Sequence, residues 1–168
     1  MKKDEQKLDI IGGTALVTIG DYENIPAKID TGADSTSIWA SNIQIDKNDN
    51  LNFTLFAPGS KYYTGESLTC KEYKASVIRS SNGDEEVRYR TKLPFVINGR
   101  KITTSVTLAD RSKNHFPILI GRKTLRNKFL VDVSKSEVER PKPNPKNTKL
   151  NEELEKNPQK FHKKYIED

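Results

Sequence analysis

The residues best suited to chemistry lie in one run, Ile25-Pro26-Ala27-Lys28-Ile29-Asp30-Thr31-Gly32-Ala33-Asp34-Ser35-Thr36. An apolar stretch ends in an acid and is followed at once by small residues, a pattern that exposes one carboxylate able to move a proton. Gly32 permits a sharp backbone path and opens access to amide groups, while Thr31 and Ser35 bring hydroxyls that can lock the loop and hydrogen-bond the carboxylate. An isolated Asp-x-Gly is often only an Asx-turn. Here a second run accompanies it: Phe116-Pro117-Ile118-Leu119-Ile120-Gly121-Arg122, an apolar strand that stops at a glycine and passes into a short helix.

Asp-Thr-Gly-Ala-Asp-Ser/Thr, followed some ninety residues later by Ile-Leu-Ile-Gly-Arg, resembles the retropepsin-type aspartic peptidases. More narrowly, residues 10 to 133 are similar to bacterial relatives that carry the label ATP-dependent zinc proteases. The matching positions are Ile10-Ile11-Gly12, Ala27 through Ala33, Arg79-Ser80-Ser81-Asn82-Gly83, Leu108-Ala109-Asp110-Arg111, Leu119 through Arg122, and Phe129 through Asp132. The label does not pass a residue test. The histidines are His115 and His162, there is one cysteine, Cys70, and no His-Glu-x-x-His or phosphate-cradling glycine loop is present. Neither zinc nor ATP, nor any other cofactor, is expected.

The resemblance implies peptide hydrolysis by two carboxylates that share a proton, one activating water and the other hydrogen-bonding the scissile carbonyl. The chain has one Asp-Thr-Gly, no Asp-Ser-Gly, and too few residues for a two-lobed version of the fold. A two-fold homodimer supplies the second acid, because an isologous interface sets the same residue from each subunit across the axis. Asp30 and its mate then form the catalytic dyad, with Thr31, Gly32 and Ala33 as the active-site loop. From the same resemblance, Thr31 locks the two loops together. Asp34 pairs with Arg122 of the Gly121-Arg122 turn as structural support.

Around this loop the sequence reads as strands: 14–19, 25–30, 37–43, 51–56, a longer 67–79, 85–97 and 101–108. Asn82-Gly83 and Asn98-Gly99 are two-residue hairpin turns by composition. The one helix expected in the body is Arg122 to Lys128. The fold class is therefore all-β, a closed retropepsin-like barrel with one short helix. A polar leader (1–9) precedes the domain (10–135), and a polar, Pro/Lys-rich tail (136–168) follows it. Ser134 to Asp168 contain six apolar residues and four of the eight prolines, too little to build a core. A short helix near Asn151 to Lys156 is the most that segment promises.

Other features carry less. Residues two apart on a strand share a face, so Lys28 either neighbours Asp30 or turns outward to solvent; the second is the expectation. Of two hairpins able to cover the site, 51–68 is preferred over 79–90 because its tip lacks the charges of Asp84-Glu85-Glu86. Asp110-Arg111, His115 and Cys70 are assigned no chemistry, and Trp39 is expected in the core. Six basic residues and no acid lie between Arg111 and Lys128, within a net charge of +6; by themselves they read as a solvated face, and no aromatic-basic RNA motif accompanies them. The resemblance, some of whose members are linked with enzymes that add glutamates to a ribosomal protein, implies an acidic peptide or protein substrate over nucleic acid. No apolar run is long enough to span a bilayer and no secretory leader is visible, so a cytoplasmic enzyme is expected. The competing class is a binding module that keeps the fold without turnover and holds an acidic polypeptide or a ribosome-associated partner.

Overall fold

The structure, a computed structural model, describes residues 7–79, 85–139 and 145–167. The chain divides into a barrel unit, Met1–Val138, and a second unit, Glu139–Asp168. The barrel unit holds β1 (Asp9–Ile11), β2 (Thr14–Ile19), β3 (Tyr22–Ile29), β4 (Thr36–Ile45), β5 (Leu51–Leu55), β6 (Ser67–Cys70), β7 (Tyr73–Arg79), β8 (Glu85–Ile97), β9 (Arg100–Ala109), β10 (Ile118–Ile120), α1 (Arg122–Leu125) and β11 (Phe129–Val131).

Pairing runs β10-β3-β2-β8-β9-β4, and β4 pairs in turn with β10, which closes a barrel of six strands. Closure leaves these strands without a free edge, and alternation sends one side chain of every two inward. In β3 the buried residues are Tyr22, Ile25, Ala27 and Ile29, while Lys28 faces out. Ile118 and Ile120 of β10, Ile38 of β4, Phe95 and Ile97 of β8 and Leu108 of β9 fill the interior. β5 and β6 extend the sheet from β4, and β7 pairs with β8 off that path. Asn98 and Gly99 both take positive φ, 50° and 74°, as the tight turn between β8 and β9 requires. Asn82-Gly83 lies outside the described residues.

Two sequence boundaries shift. The long strand expected over 67–79 breaks at Lys71-Glu72, because β6 pairs with β5 whereas β7 pairs with β8. Thr91 Oγ1 donates to Glu72 O at 2.9 Å and holds the bend. Helix α1 stops at Leu125, not Lys128: Arg126 has left helical geometry (ψ 130°) and Asn127 turns to φ 60°. Barrel contacts also continue past residue 135, since Val138 N donates to Thr14 Oγ1 and Leu16 N to Glu137 Oε2.

The second unit is a helical pair, α2 (Pro145–Lys156) and α3 (Pro158–Tyr165), more helix than the short segment expected. Its punctuation was present in the sequence. Asn157 caps α3 by accepting from Lys160 N at 2.9 Å, and Pro158 occupies the first helical turn, where its missing N–H costs nothing. Glu153 joins the helices by accepting from Lys164 Nζ and Tyr165 Oη, each at 2.8 Å.

Candidate active site

Topology decides where Asp30 stands. β3 and β4 follow one another in the chain, yet β10 lies between them, parallel to β3 and antiparallel to β4. The connection 30–35 must therefore arch over the end of β10, and Gly121 is the residue it crosses. A Cβ on Gly121 would sit 2.5 Å from the carbonyl carbon and oxygen of Ser35, so only glycine leaves room for the arch. Four hydrogen bonds fasten the crossing. Asp30 N donates to Ile120 O (2.9 Å), Arg122 N to Ala33 O (2.8 Å), Lys123 N to Asp34 O (3.1 Å) and Gly121 N to Thr36 Oγ1 (3.2 Å).

Beneath the arch is a chain of buried hydroxyls. Thr124 Oγ1 of α1 lies 2.6 Å from Thr36 Oγ1 of β4 and 2.7 Å from Thr104 Oγ1 of β9. Nothing in the sequence marks these three threonines as a set, because they come from three separated elements.

Within the arch, Asp30 Oδ1 accepts from Gly32 N at 3.0 Å, and Ala33 N returns to Asp30 O at 3.2 Å. The carboxyl is thus held at one oxygen by its own loop, leaving Oδ2 open. Lys28 Nζ stands 3.6 Å from Oδ2, with the lysine side chain 54% and the aspartate 28% exposed. Lys28 is therefore both solvent-facing and beside the acid. Thr31 and Gly32 are exposed at the crest.

Arg122 binds the crest from α1. Its Nη1 donates to Thr31 O (3.3 Å) and Gly32 O (3.1 Å), and its Nη2 lies 3.6 Å from Asp34 Oδ1. Lys123 makes the shorter contact, Nζ to Asp34 Oδ2 at 2.6 Å, and its hydrogen bond is the main reason the Asp34 carboxyl sits below the ordinary aspartate value. Arg122 and, more weakly, Arg90 of β8 act in the same direction. The ions are largely exposed, so their weight is in orienting the loop more than in holding the fold.

Arg111, given no chemistry from sequence, is part of this neighbourhood. It is half-buried, its Nε donates to Phe116 O at 3.0 Å, and its guanidinium lies in the fields of Asp30 and Arg88. Burial, then Arg88, lower its proton affinity, and Asp30 opposes them. The neighbouring Asp110 instead accepts from Ser112 N and points away into a turn, His115 is exposed, and Trp39 packs edge-on against Phe56. A cavity of about 540 Å³ opens beside Thr31 and Asp34, lined by the cationic Arg122, Lys123 and Arg126 and the apolar Leu125, Phe129 and Val131. Among the described residues, no group of three or more His, Cys, Asp or Glu side chains is gathered.

The two hairpins differ in what they touch. The loop after β5 is committed to the core: Phe56 is fully buried against Tyr22, Trp39 and Tyr62, and Tyr22 Oη lies 2.8 Å from Thr64 Oγ1. The β7–β8 arm exposes Val77 and Val87, which face each other across the ladder, and carries Arg88 and Arg90 toward Arg111 and Asp34. The tip of the first hairpin, Pro58-Gly59, is exposed, while Phe56 and Tyr62 beside it pack against each other.

A six-stranded barrel whose crossover loop presents Asp-Thr-Gly over the end of an inserted strand defines the retropepsin-like class. The sequence agrees: residues 11–142 match the family described as RimB-like, retropepsin-like aspartic endopeptidase RimB, and the chain belongs to that family. Among solved structures it is similar to a Legionella pneumophila protein described as of unknown function, at 26% identity and a TM-score of 0.62, covering 77% of this chain and 97% of that one. Curated relatives include proteins named probable alpha-L-glutamate ligase from Shewanella pealeana, 31% identical over 115 residues, and Desulfotalea psychrophila, 26% identical over 111. Those matches cover 67% and 64% of this chain but only 25% and 24% of the relatives, so the chain spans about a quarter of their length.

Proposed function

We propose that the chain is an aspartic endopeptidase that works as a cytoplasmic homodimer, with Asp30 of each copy forming the dyad. The observation that carries this reading is the presentation of Asp30. One carboxylate oxygen is fixed by Gly32 N, the other faces the Lys28 ammonium at 3.6 Å, and the flanking Thr31 and Gly32 stand exposed at the crest where a second copy can meet them. In the dyad one carboxylate takes a proton from water as its oxygen attacks the peptide carbonyl, and the protonated mate hydrogen-bonds the developing oxyanion. Collapse of the resulting gem-diol breaks the C–N bond as the amine leaves with a proton from the dyad. No covalent enzyme intermediate forms.

The cations around the loop, Lys28, Arg88, Arg111, Arg122 and Lys123, support an acidic peptide as substrate. The partial match to proteins named for glutamate ligation supports glutamate in particular. The strands β7 and β8, which bring Arg88 and Arg90 toward Arg111 and Asp34, are the elements that cover such a peptide. Light scattering and cleavage of a peptide library by wild type and Asp30→Asn test the reading. A dimer that cuts glutamate-rich peptides, with cutting lost in the variant, is expected. Cleavage that persists in Asp30→Asn removes the catalytic assignment, and a wild-type dimer that cuts nothing favours the binding-module alternative.

A further inference from the structure

We infer that the cavity at the bend between β6 and β7 is a second substrate contact, which holds an acidic run of the polypeptide away from the bond that Asp30 cuts. This deepens the proposed function and rests on its acidic-substrate reading. The cavity has a volume of about 460 Å³, and Lys71, Lys74, Arg90 and Lys92 line it beside one acid, Glu72. Strand register explains the gathering. Lys74 of β7 lies opposite Arg90 of β8, and Ser105 of β9 lies opposite Lys92, so these four share the outer face of the sheet, while Thr91 between them is buried. The bond from Thr91 Oγ1 to Glu72 O, 2.9 Å, holds the bend that brings Lys71 to the same cavity.

Folding does not ask for these charges. Like charges set directly opposite one another, as Lys74 and Arg90 are, weaken a ladder. Among the described residues, none of the four cations has an ion pair or a side-chain hydrogen bond, and Arg90 reaches Asp34 only through its field. Positive charge concentrated in a concavity draws anions to it. The anion that fits is a chain of carboxylates. Arg90 and Lys92 stand two residues apart on one strand, about 6.6–6.8 Å, which is also the spacing of alternate side chains in an extended peptide. A nucleic acid needs an open aromatic face on which its bases stack, and Tyr73, the aromatic of the cavity, is half-buried and edge-on to Tyr89, ring centroids 6.2 Å apart.

Strand β8 connects this cavity to the active-site loop. Arg90 lines the cavity and acts on the Asp34 carboxyl, and Arg88, two residues earlier on the same face, acts on Arg111, whose guanidinium lies in the field of Asp30. The stretch from Arg88 to Lys92 covers about 13 Å of extended strand, so an acidic run of roughly four to six residues reaches from the loop into the cavity. The barrel then reads its substrate twice: Asp30 acts on the bond, and the cavity grips the acidic run to one side of it. A grip that is equal in the ground and transition states lowers KM and leaves kcat unchanged.

The test uses the full chain, carrying Asp30→Asn in the binding arm so that nothing is cut. Fluorescence anisotropy with a labelled glutamate hexapeptide is expected to show binding that weakens about tenfold or more in Lys74→Gln/Lys92→Gln. Lys160→Gln/Lys163→Gln, which removes the same charge from α3, should bind as the parent does, and a glutamine hexapeptide should not bind. In the cleavage arm, with Asp30 intact, a peptide extended by a run of glutamates should exceed its glutamine counterpart about tenfold in kcat/KM, through KM, and that ratio should fall to near one in Lys74→Gln/Lys92→Gln. Equal weakening in the α3 control reduces the effect to net charge and overturns the site. So does a single-stranded RNA oligonucleotide that displaces the hexapeptide at lower concentration than unlabelled hexapeptide does, which makes the cavity a nucleic-acid contact. Unchanged affinity in Lys74→Gln/Lys92→Gln, with the glutamate peptide still cut by the protein bearing Asp30, overturns the cavity's role and leaves the peptidase reading standing. Affinity lost in that variant, with no peptide cut by wild type, keeps the cavity and removes the peptidase reading.

Discussion

Replacing Gly121 with alanine tests whether the arch over β10 sets the position of Asp30. Gly121 has φ −90° and ψ 173°, a conformation any residue adopts, so the backbone itself does not resist a side chain. The resistance is contact: the new Cβ meets Ser35 C and O at 2.5 Å and Ser35 N at 2.9 Å. Non-bonded heavy atoms settle near 3.5 Å, so the arch must lift by about 1 Å. Lifting stretches the hydrogen bonds from Arg122 N to Ala33 O, from Lys123 N to Asp34 O and from Gly121 N to Thr36 Oγ1. Overpacking typically costs ~1–3 kcal/mol and each of the three weakened hydrogen bonds up to ~0.5–1.5, so a loss of about 2.5–7.5 kcal/mol is expected. A carboxylate displaced by ~1 Å costs ~100-fold in turnover. Urea unfolding and peptide cleavage measure the two effects. Gly99→Ala is the control, because Gly99 has φ 74° with nothing within 4 Å of an added Cβ, and it should lose stability without losing activity in the folded protein. If Gly121→Ala unfolds within ~0.5 kcal/mol of wild type and cleaves at its rate, the arch does not position the acid.

Other changes probe the supports separately. Thr124→Val removes the hydroxyl shared by Thr36 and Thr104 and should destabilise by ~1–3 kcal/mol in urea unfolding, with Thr124→Ser close to wild type; a neutral valine would mean the hydroxyl chain is idle. Arg122→Ala should reduce cleavage more than Asp34→Ala, because Arg122 also holds two crest carbonyls; the reverse order in kcat/KM would put the ion pair ahead of the loop bonds. Asp46 is held down to about 2 from 3.8, first by the Asn50 backbone amide and then by the Asn52 and Asn50 side chains. Its folded-state value is depressed, so its stabilisation is complete above about pH 3.8 and drains as pH falls through about 2. Wild type should therefore lose more stability than Asp46→Ala over that interval, and parallel pH curves from thermal unfolding would contradict the assignment.

The strands with clean alternation and strong turns were legible without coordinates. β2 and β8 begin and end where their patterns do, and Asn98-Gly99 marks its turn because few other pairs tolerate two positive φ values in succession. The pairing of Asp34 with Arg122 was named only through family resemblance, and its stronger rival, Lys123, was missed since neighbouring lysines and arginines look alike in a basic run. Arg111 was passed over for a similar reason: an Asp-Arg pair at a strand end usually belongs to a turn. That Phe56 and Tyr62 pack against each other beside the 58–59 turn was not legible, because no local pattern records which loop aromatics the fold brings together.

By itself the sequence determined the acid, the small residues that let its loop bend, the glycine that ends β10, and the count of one such acid per chain. These are properties of residue types and their order, set by backbone freedom and side-chain chemistry. Tertiary structure alone decided that β10 enters between β3 and β4, which forces the loop across Gly121, gathers three threonines beneath it, and sets Lys28, Arg111 and Arg88 around it. Closing the barrel joins strands from distant parts of the chain, so which charges face Asp30 follows from strand order in space and not from spacing in sequence.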